Sequence, residues 1–293
     1  MGLKEFLESH ASLEGRMLFD SYVSRRSWSG SGGREMKIEG KVAVITGAAS
    51  GIGRAMARKF KAEGAAGIAV ADLQEGALIA VAEEIGGLPI VTDVSREGDI
   101  QTLVERTETE IGPIDIFCSN AGIAWLGGED VPDADWQKNW DIHVMAHVYA
   151  ARAVAPKMAA RGDGYLVNTA SAAGLLSHVN SATYAVTKHA AVALAEWLSI
   201  EYGTRGVKVS VLAPQAVRTA MTQGREGGVA SLDGMIEAEE LADCVVETMG
   251  REEFLILPHP VVLDYLQRKT GDYDRWIGGM RKLKERYRDS DGV

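Results

Sequence analysis

From residue 41 onward the chain alternates between two hydrophobic rhythms. Short, near-continuous apolar runs rich in Val, Ile and Ala occupy residues 41–46, 67–72, 88–93, 114–120, 164–169, 207–213 and 254–257. Runs of this kind read as strands buried on both faces. Between them lie longer stretches of helical spacing at 52–63, 74–85, 97–111, 133–160, 182–203 and 238–249. Glycine or proline marks most joins, as at Gly64, Gly86-Gly87, Gly112-Pro113 and Gly162. Strand–helix alternation predicts an α/β domain, a parallel sheet with helices on both faces. No internal repeat and no second domain boundary interrupts it. The domain is expected over residues 37–293, with 259–293 as a polar tail containing Tyr273 and Trp276. Residues 1–36 differ: Ser24–Arg34 is polar and glycine-rich, and the Arg25-Arg26 pair is followed by no apolar region. They read as a flexible leader or as a short docking helix.

Composition narrows the classes. Of the 293 residues, 46% are hydrophobic and 25% charged, as in a folded globular protein. The net charge of −10 disfavours nonspecific binding to nucleic acid or an anionic membrane. The basic cluster Arg281, Lys282, Lys284, Arg286 and Arg288 is interrupted by acids and reads as a solvated helix face. No apolar stretch is long enough to cross a bilayer. Neither of the two cysteines, Cys118 and Cys244, sits at metal-ligand spacing, so no metal site is expected and a reducing, cytoplasmic setting is.

Chemistry enters at the strand ends. The first strand runs into Thr46-Gly47-Ala48-Ala49-Ser50-Gly51-Ile52-Gly53 and then a helix. Glycines there permit a tight turn and close approach of a pyrophosphate to the helix N-terminus. Strand–turn–helix context is what such a motif requires. Asp72 ends the second strand at the spacing of the acidic residue that binds the adenosine ribose, and its charge would repel a 2′-phosphate, favouring NAD over NADP. Arg54 argues the other way unless it lies along the helix surface. Asp93-Val94 would cover the adenine. Asn120-Ala121-Gly122 places small residues beside the cofactor, and the backbone beyond Pro214 would hold the nicotinamide carboxamide.

Tyr184 and Lys188 are four residues apart on a helical segment and so share a face. A tyrosine near pKa 10 is a poor base at neutrality, and an adjacent ammonium or an oxidised nicotinamide would stabilise its phenolate. Ser171, after the fifth strand, can hydrogen-bond a substrate oxygen as charge develops.

Taken in order, the glycine turn, Ser119-Asn120-Ala121-Gly122, Ser171, Tyr184-Ala185-Val186-Thr187-Lys188 and Pro214-Gln215-Ala216-Val217-Arg218-Thr219 resemble the short-chain dehydrogenase/reductase family, in the shorter oxidoreductase branch. The resemblance covers residues 41–257. It implies a doubly wound Rossmann-type sheet of about seven strands and a homodimer or homotetramer. It implies Tyr184 as general acid/base and Ser171 as substrate-orienting group. Lys188 would bind the nicotinamide ribose, and Val217 and Thr219 the nicotinamide amide. The cofactor residues would thus be Thr46, Gly47, Ser50, Gly51, Ile52, Gly53, Asp72, Asp93, Val94, Asn120, Ala121, Gly122, Tyr184, Lys188, Pro214, Val217 and Thr219. Two positions depart from the family. His143 stands where an asparagine usually supports a proton-relay water, and either takes that role or fills the helix packing. Gln215 replaces a usual glycine and either contacts substrate or is tolerated in the turn. Trp125 and Met221 are further pocket candidates, the glycine-rich segment 219–237 reads as a lid, and Arg218 and Arg225 read as solvated arginines or as partners of an anionic substrate. His189 reads as a packing or interface residue. The expected activity is interconversion of a secondary alcohol with a ketone or aldehyde using NAD(H). The alternative is a catalytically weak NAD-binding sensor or assembly protein.

Overall fold

The computed structural model describes residues 36–224 and 227–288. The expectations for residues 1–35 and for Arg225 lie outside them. The elements run β1 (Val42–Thr46), α1 (Gly51–Ala62), β2 (Gly67–Asp72), α2 (Glu75–Ile85), β3 (Leu88–Val91), α3 (Glu97–Glu110) and β4 (Ile116–Ser119). There follow α4 (Asp133–Trp140), a π-helical turn (Asp141–Met145), α5 (Ala146–Arg161), β5 (Gly164–Thr169), α6 (Ala173–Leu176), α7 (Ala182–Tyr202) and β6 (Val207–Leu212). The chain ends through β7 (Val217–Arg218), β8 (Ile236–Glu237), α8 (Ala238–Gly250), β9 (Leu255–Ile256), α9 (Val261–Gly271) and α10 (Tyr273–Arg286).

Seven strands form one sheet in the order β3-β2-β1-β4-β5-β6-β9, with every neighbouring pair parallel. All seven expected strands are present, in a doubly wound sheet. Alternate residues of β1 point to opposite sides. Val44 joins the core under α3, α5 and α7, whereas Ala43 and Ile45 join the core under α1, α2 and α8. Both faces are therefore dry, which is why the strand sequences lack polar alternation. The chain winds outward from β1 to β3, then crosses to β4. This reversal opens a crevice at the C-terminal ends of β1 and β4, where open α/β sheets bind ligands.

Two expectations about helices are corrected. The predicted single helix 133–160 is broken by the π turn, a one-residue insertion that such helices make mostly where function requires a side chain to be re-aimed. Here it carries His143 into the interior, where the ring is fully buried. The expected polar tail is instead the helical pair α9–α10, whose second member is capped by the Asp272 carboxylate accepting from Arg275 N at 3.0 Å.

Candidate active site

The glycine turn is built by contacts that exclude side chains. A Cβ on Gly53 would lie 2.2 Å from the Gly47 carbonyl oxygen, and Gly47 itself has φ +66 with its Cβ position 2.8 Å from Ala121 Cα. The turn therefore packs directly on the end of β4. No side chain caps α1 and its first turn holds no acid, so its N-terminal N–H groups face the crevice as donors for an anion. Thr46 Oγ1 accepts from Asn120 N at 2.9 Å and Ala121 N at 3.1 Å, Asn120 Nδ2 donates to Thr46 O at 3.0 Å, and Thr169 Oγ1 donates to Asn120 Oδ1 at 3.1 Å. This network locks the ends of β1, β4 and β5 together.

Asp72 lies at the rim of the same crevice. Its carboxylate accepts from Ala49 N at 3.1 Å and Gln74 N at 3.0 Å, which fixes its orientation. Arg54 is drawn to Glu84 at 3.4 Å on α2, along the helix surface as expected. Arg218 is held by Glu237 at 2.7 Å. Neither cation is aimed at the crevice beside Asp72.

Ser181 starts α7 as its N-cap, its hydroxyl accepting from Tyr184 N at 3.2 Å. That places Tyr184 in the first turn and Lys188 one turn on. The Tyr184 hydroxyl is hydrogen-bonded to Ser171, and Lys188 Nζ lies 5.5 Å from the Tyr184 ring centroid while donating to Thr169 O at 3.0 Å. Ser171 is further held by Ala173 N, which donates to its Oγ at 3.1 Å. The fold thus brings Ser171, Tyr184 and Lys188 to one point of the crevice. Electrostatically the result differs from expectation. Burial pushes the Tyr184 phenol above its ordinary value, and the bond with Ser171 only partly offsets it. Burial also pulls Lys188 down to about 7. The lowering contact on Tyr184 is Ser171, not the lysine.

His143 makes two fixed bonds. Its Nε2 accepts from Ile123 N at 3.0 Å, so Nδ1 carries the proton and donates to Thr187 Oγ1 at 2.9 Å. Burial, with the nearby Lys188 charge, holds it down to about 2. With both nitrogens used and the ring neutral, His143 ties the loop after β4 to α7 and has no lone pair left for a relay water. His147, one turn later, is buried and held down to about 3, again by burial first and Lys188 second. Unfolded imidazoles titrate near 6.5, so between about pH 6.5 and 3 the unfolded chain binds protons that the native chain does not. Stability must fall as pH drops through that window, by about 2.7 kcal/mol per pH unit where both groups contribute in full. In urea titrations at pH 6.0 and 5.0, His147→Gln is expected to remove about half of this acid slope. An unchanged slope would contradict the assignment.

The crevice opens into a cavity of about 1300 Å³ lined by the turn, Asp72, Asp93, Val94, Ser171 and Tyr184 among others. Trp125, Gln215 and Met221, the expected pocket residues, also line it, as does Thr219, the residue expected at the nicotinamide amide. Gln215 Nε2 donates to Asp233 Oδ2 at 2.9 Å, and Tyr265 OH donates to Asp233 Oδ1 at 2.9 Å, so Asp233 joins the segment after β6 to α9. The β7–β8 pair ties together the two ends of the expected lid, and Thr222 Oγ1 braces its start by accepting from Thr219 N at 3.1 Å. The sequence reading missed Asp233, Leu176, Val179, Tyr265, Met280 and Leu283 as wall residues. For α10 the available signal was the helical spacing of Trp276, Met280 and Leu283. His189 bonds Ala185 O and lies 3.4 Å from Lys269 Nζ, a packing role.

The residues present fit a dinucleotide. The cradle admits backbone but no Cβ, an uncapped helix N-terminus faces it, and a carboxylate stands at the end of β2. Cys118 is buried, Cys244 half-buried, and both are free. Among the described residues no helix is long and apolar enough to cross a membrane, and no cluster could hold a metal ion.

A family model described as short chain dehydrogenase matches residues 41–228. The 1-deoxy-11-beta-hydroxypentalenate dehydrogenase of Streptomyces exfoliatus is 34% identical over 231 residues, 75% of this chain and 84% of that protein. The mitochondrial borneol dehydrogenase of Lavandula x intermedia is 29% identical over 235 residues, 78% of this chain and 90% of that one. A crystal structure of a short chain dehydrogenase/reductase from Burkholderia phymatum in complex with NAD superposes with a TM-score of 0.75 at 29% identity, covering 82% of this chain and 96% of that one.

Proposed function

Because the chain belongs to the short-chain dehydrogenase family, we propose that it is an NAD(H)-dependent oxidoreductase interconverting a secondary alcohol and its ketone. The observation that carries this reading is the convergence of Ser171, Tyr184 and Lys188 on the crevice beside the glycine turn. Two relatives support the substrate class, being named as dehydrogenases of a hydroxypentalenate and of borneol.

A bound nicotinamide would supply or accept the hydride. The chain's own residues would do the rest. The glycine turn and the α1 N-terminus would hold the pyrophosphate, and Asp72 would accept from the ribose hydroxyls. Asn120 holds the ends of β1 and β4 together. Ser171 would donate to the substrate oxygen. The Tyr184 phenol, kept neutral by burial, would give its proton to that oxygen in reduction and take it back in oxidation. Lys188, fixed by Thr169 beside the Tyr184 ring, would bind the nicotinamide ribose. His143 is a positioning residue that holds the loop bearing Gly122 against α7. Trp197 and Ile200 stand 57% and 79% exposed on α7, an apolar face suited to pairing with a second copy.

The test is turnover of a panel of secondary alcohols and ketones with NAD(H) and NADP(H), with wild type beside Asp72→Asn. Asparagine keeps an acceptor oxygen and removes the charge. A hydrogen bond to a charged group is worth about 1.5–3 kcal/mol, so the NAD-to-NADP ratio of kcat/KM should fall about tenfold or more. A wild type that prefers NADP, or an unmoved ratio, would overturn the cofactor assignment.

A further inference from the structure

Helix α10 lies beyond the residues matched by the family model, and none of its residues is buried. It is nonetheless amphipathic. Trp276, Met280 and Leu283 recur at helical spacing, are half-buried, and line the cavity that contains Tyr184. Lys282, Glu285 and Arg286 on the remaining surface are exposed. The helix is fastened at its two ends. At its start, Asp272 caps it and the Trp276 ring lies 6.4 Å from that of Tyr265 on α9. At its finish, Lys284 Nζ donates to Asn180 Oδ1 at 2.8 Å and Asn180 Nδ2 donates to the Tyr287 carbonyl at 2.8 Å. Asn180 adjoins Ser181, the N-cap that positions Tyr184. The far wall of the cavity is therefore latched to the start of the catalytic helix. Across from α10 the wall is also hydrocarbon, from Ile123, Trp125, Leu176, Val179 and Leu232.

Trp276 rests partly on the core beside Tyr265, whereas Met280 and Leu283 have the cavity as their apolar surroundings, and side chains left facing a cavity lose the burial that normally holds a helix in place. We propose that α10 completes its packing on the substrate, and that it thereby selects bulky, largely hydrocarbon alcohols or ketones over small ones. This rests on the reaction assigned above and names the class of molecule that the same site takes.

The experiment is binding by calorimetry to the NADH-loaded full chain, paired with amide hydrogen exchange of residues 273–286. The probes are borneol and cyclohexanol. Borneol carries about four more carbons to bury, each worth roughly fourfold, so it should bind about 200-fold more tightly and slow exchange along α10. The pair Trp276→Ala/Met280→Ala should lose about tenfold or more for borneol and less than about threefold for cyclohexanol, whereas Met280→Leu keeps the preference. Because no residue of α10 is fully buried, these variants should fold. Affinities within about threefold of each other, no borneol binding, or an unchanged preference in the double variant overturns the proposal. So does slow exchange of α10 without any alcohol, which would show that a second copy or the N-terminal segment already covers the stripe. If wild type binds borneol with these signatures but does not oxidise it, the assigned reaction fails and the wall stands.

Discussion

Replacing Tyr184 with Phe is expected to lower kcat by about 10²–10⁴-fold while leaving NADH affinity near the wild-type value. The aromatic ring is retained, so its edge contacts with His143 at 5.5 Å and His178 at 6.2 Å between ring centroids survive. What disappears is the hydroxyl, with its bond to Ser171 and its proton. Steady-state kinetics in both directions, with a fluorescence titration of NADH, measure the two quantities separately. The raised phenol adds a pH signature. Oxidation needs the deprotonated form, so its rate should climb with pH across the neutral and alkaline range, while reduction should fall as the phenol ionises. A variant that keeps a tenth or more of wild-type turnover would remove Tyr184 from proton transfer. A variant that loses NADH binding would show that the hydroxyl holds the cofactor site together, and the kinetic loss could not be assigned to the proton.

Lys188→Met is expected to abolish useful turnover and stabilise the protein at once. Lys188 is 2% exposed, and its one hydrogen bond given by the geometry is to the Thr169 carbonyl. Burial pulls it from 10.5 to about 7. At 1.36 kcal/mol per unit, holding this lysine in the native state costs about 5 kcal/mol below pH 7. Methionine fills similar volume without charge and leaves the Thr169 carbonyl unpaired, which costs about 1–3 kcal/mol. The net gain is about 2–4 kcal/mol at pH 6. The sign with pH follows from proton counts. Between about pH 7 and 10.5 the unfolded lysine is protonated and the native one is not, so wild-type stability rises with pH and the advantage of the variant shrinks. Urea midpoints at pH 6 and 9 read this directly. A variant less stable than wild type at pH 6 would mean that the ammonium is better solvated than its burial implies. The trade of stability for function is expected where an active site keeps a charge in a dry interior.

The legible parts of the molecule were those whose physics is local. β1 to β6 announce themselves as apolar runs because both faces of the sheet are covered. The glycine turn is legible because no other residue fits at Gly53. Tyr184 and Lys188 share a face by helical geometry alone. The parts that escaped depend on tertiary surroundings. The spacing over 133–160 fits one helix, and only the packing of the loop after β4 against α7 calls for the extra residue of the π turn that buries His143. The sequence left His143 open between a relay substitute and a packing residue, because its contacts with Ile123 and Thr187 come from positions distant in sequence. The direction of the Tyr184 shift depends on burial, which the Tyr184–Lys188 spacing does not encode. Residues 259–288 looked like a polar tail because α10 is rich in charge and has no fully buried residue. Its half-buried apolar residues Trp276, Met280 and Leu283 make sense only against the cavity they line.

The most direct test of the central claim follows one hydrogen. A secondary alcohol deuterated at its carbinol carbon is supplied with NAD and the full chain, and the reduced cofactor is recovered and its mass measured. The account predicts that the deuterium is found in the NADH, on one face of the ring only, with ketone formed in equal amount. Turnover that leaves the deuterium on carbon or releases it to water would contradict hydride transfer at this site.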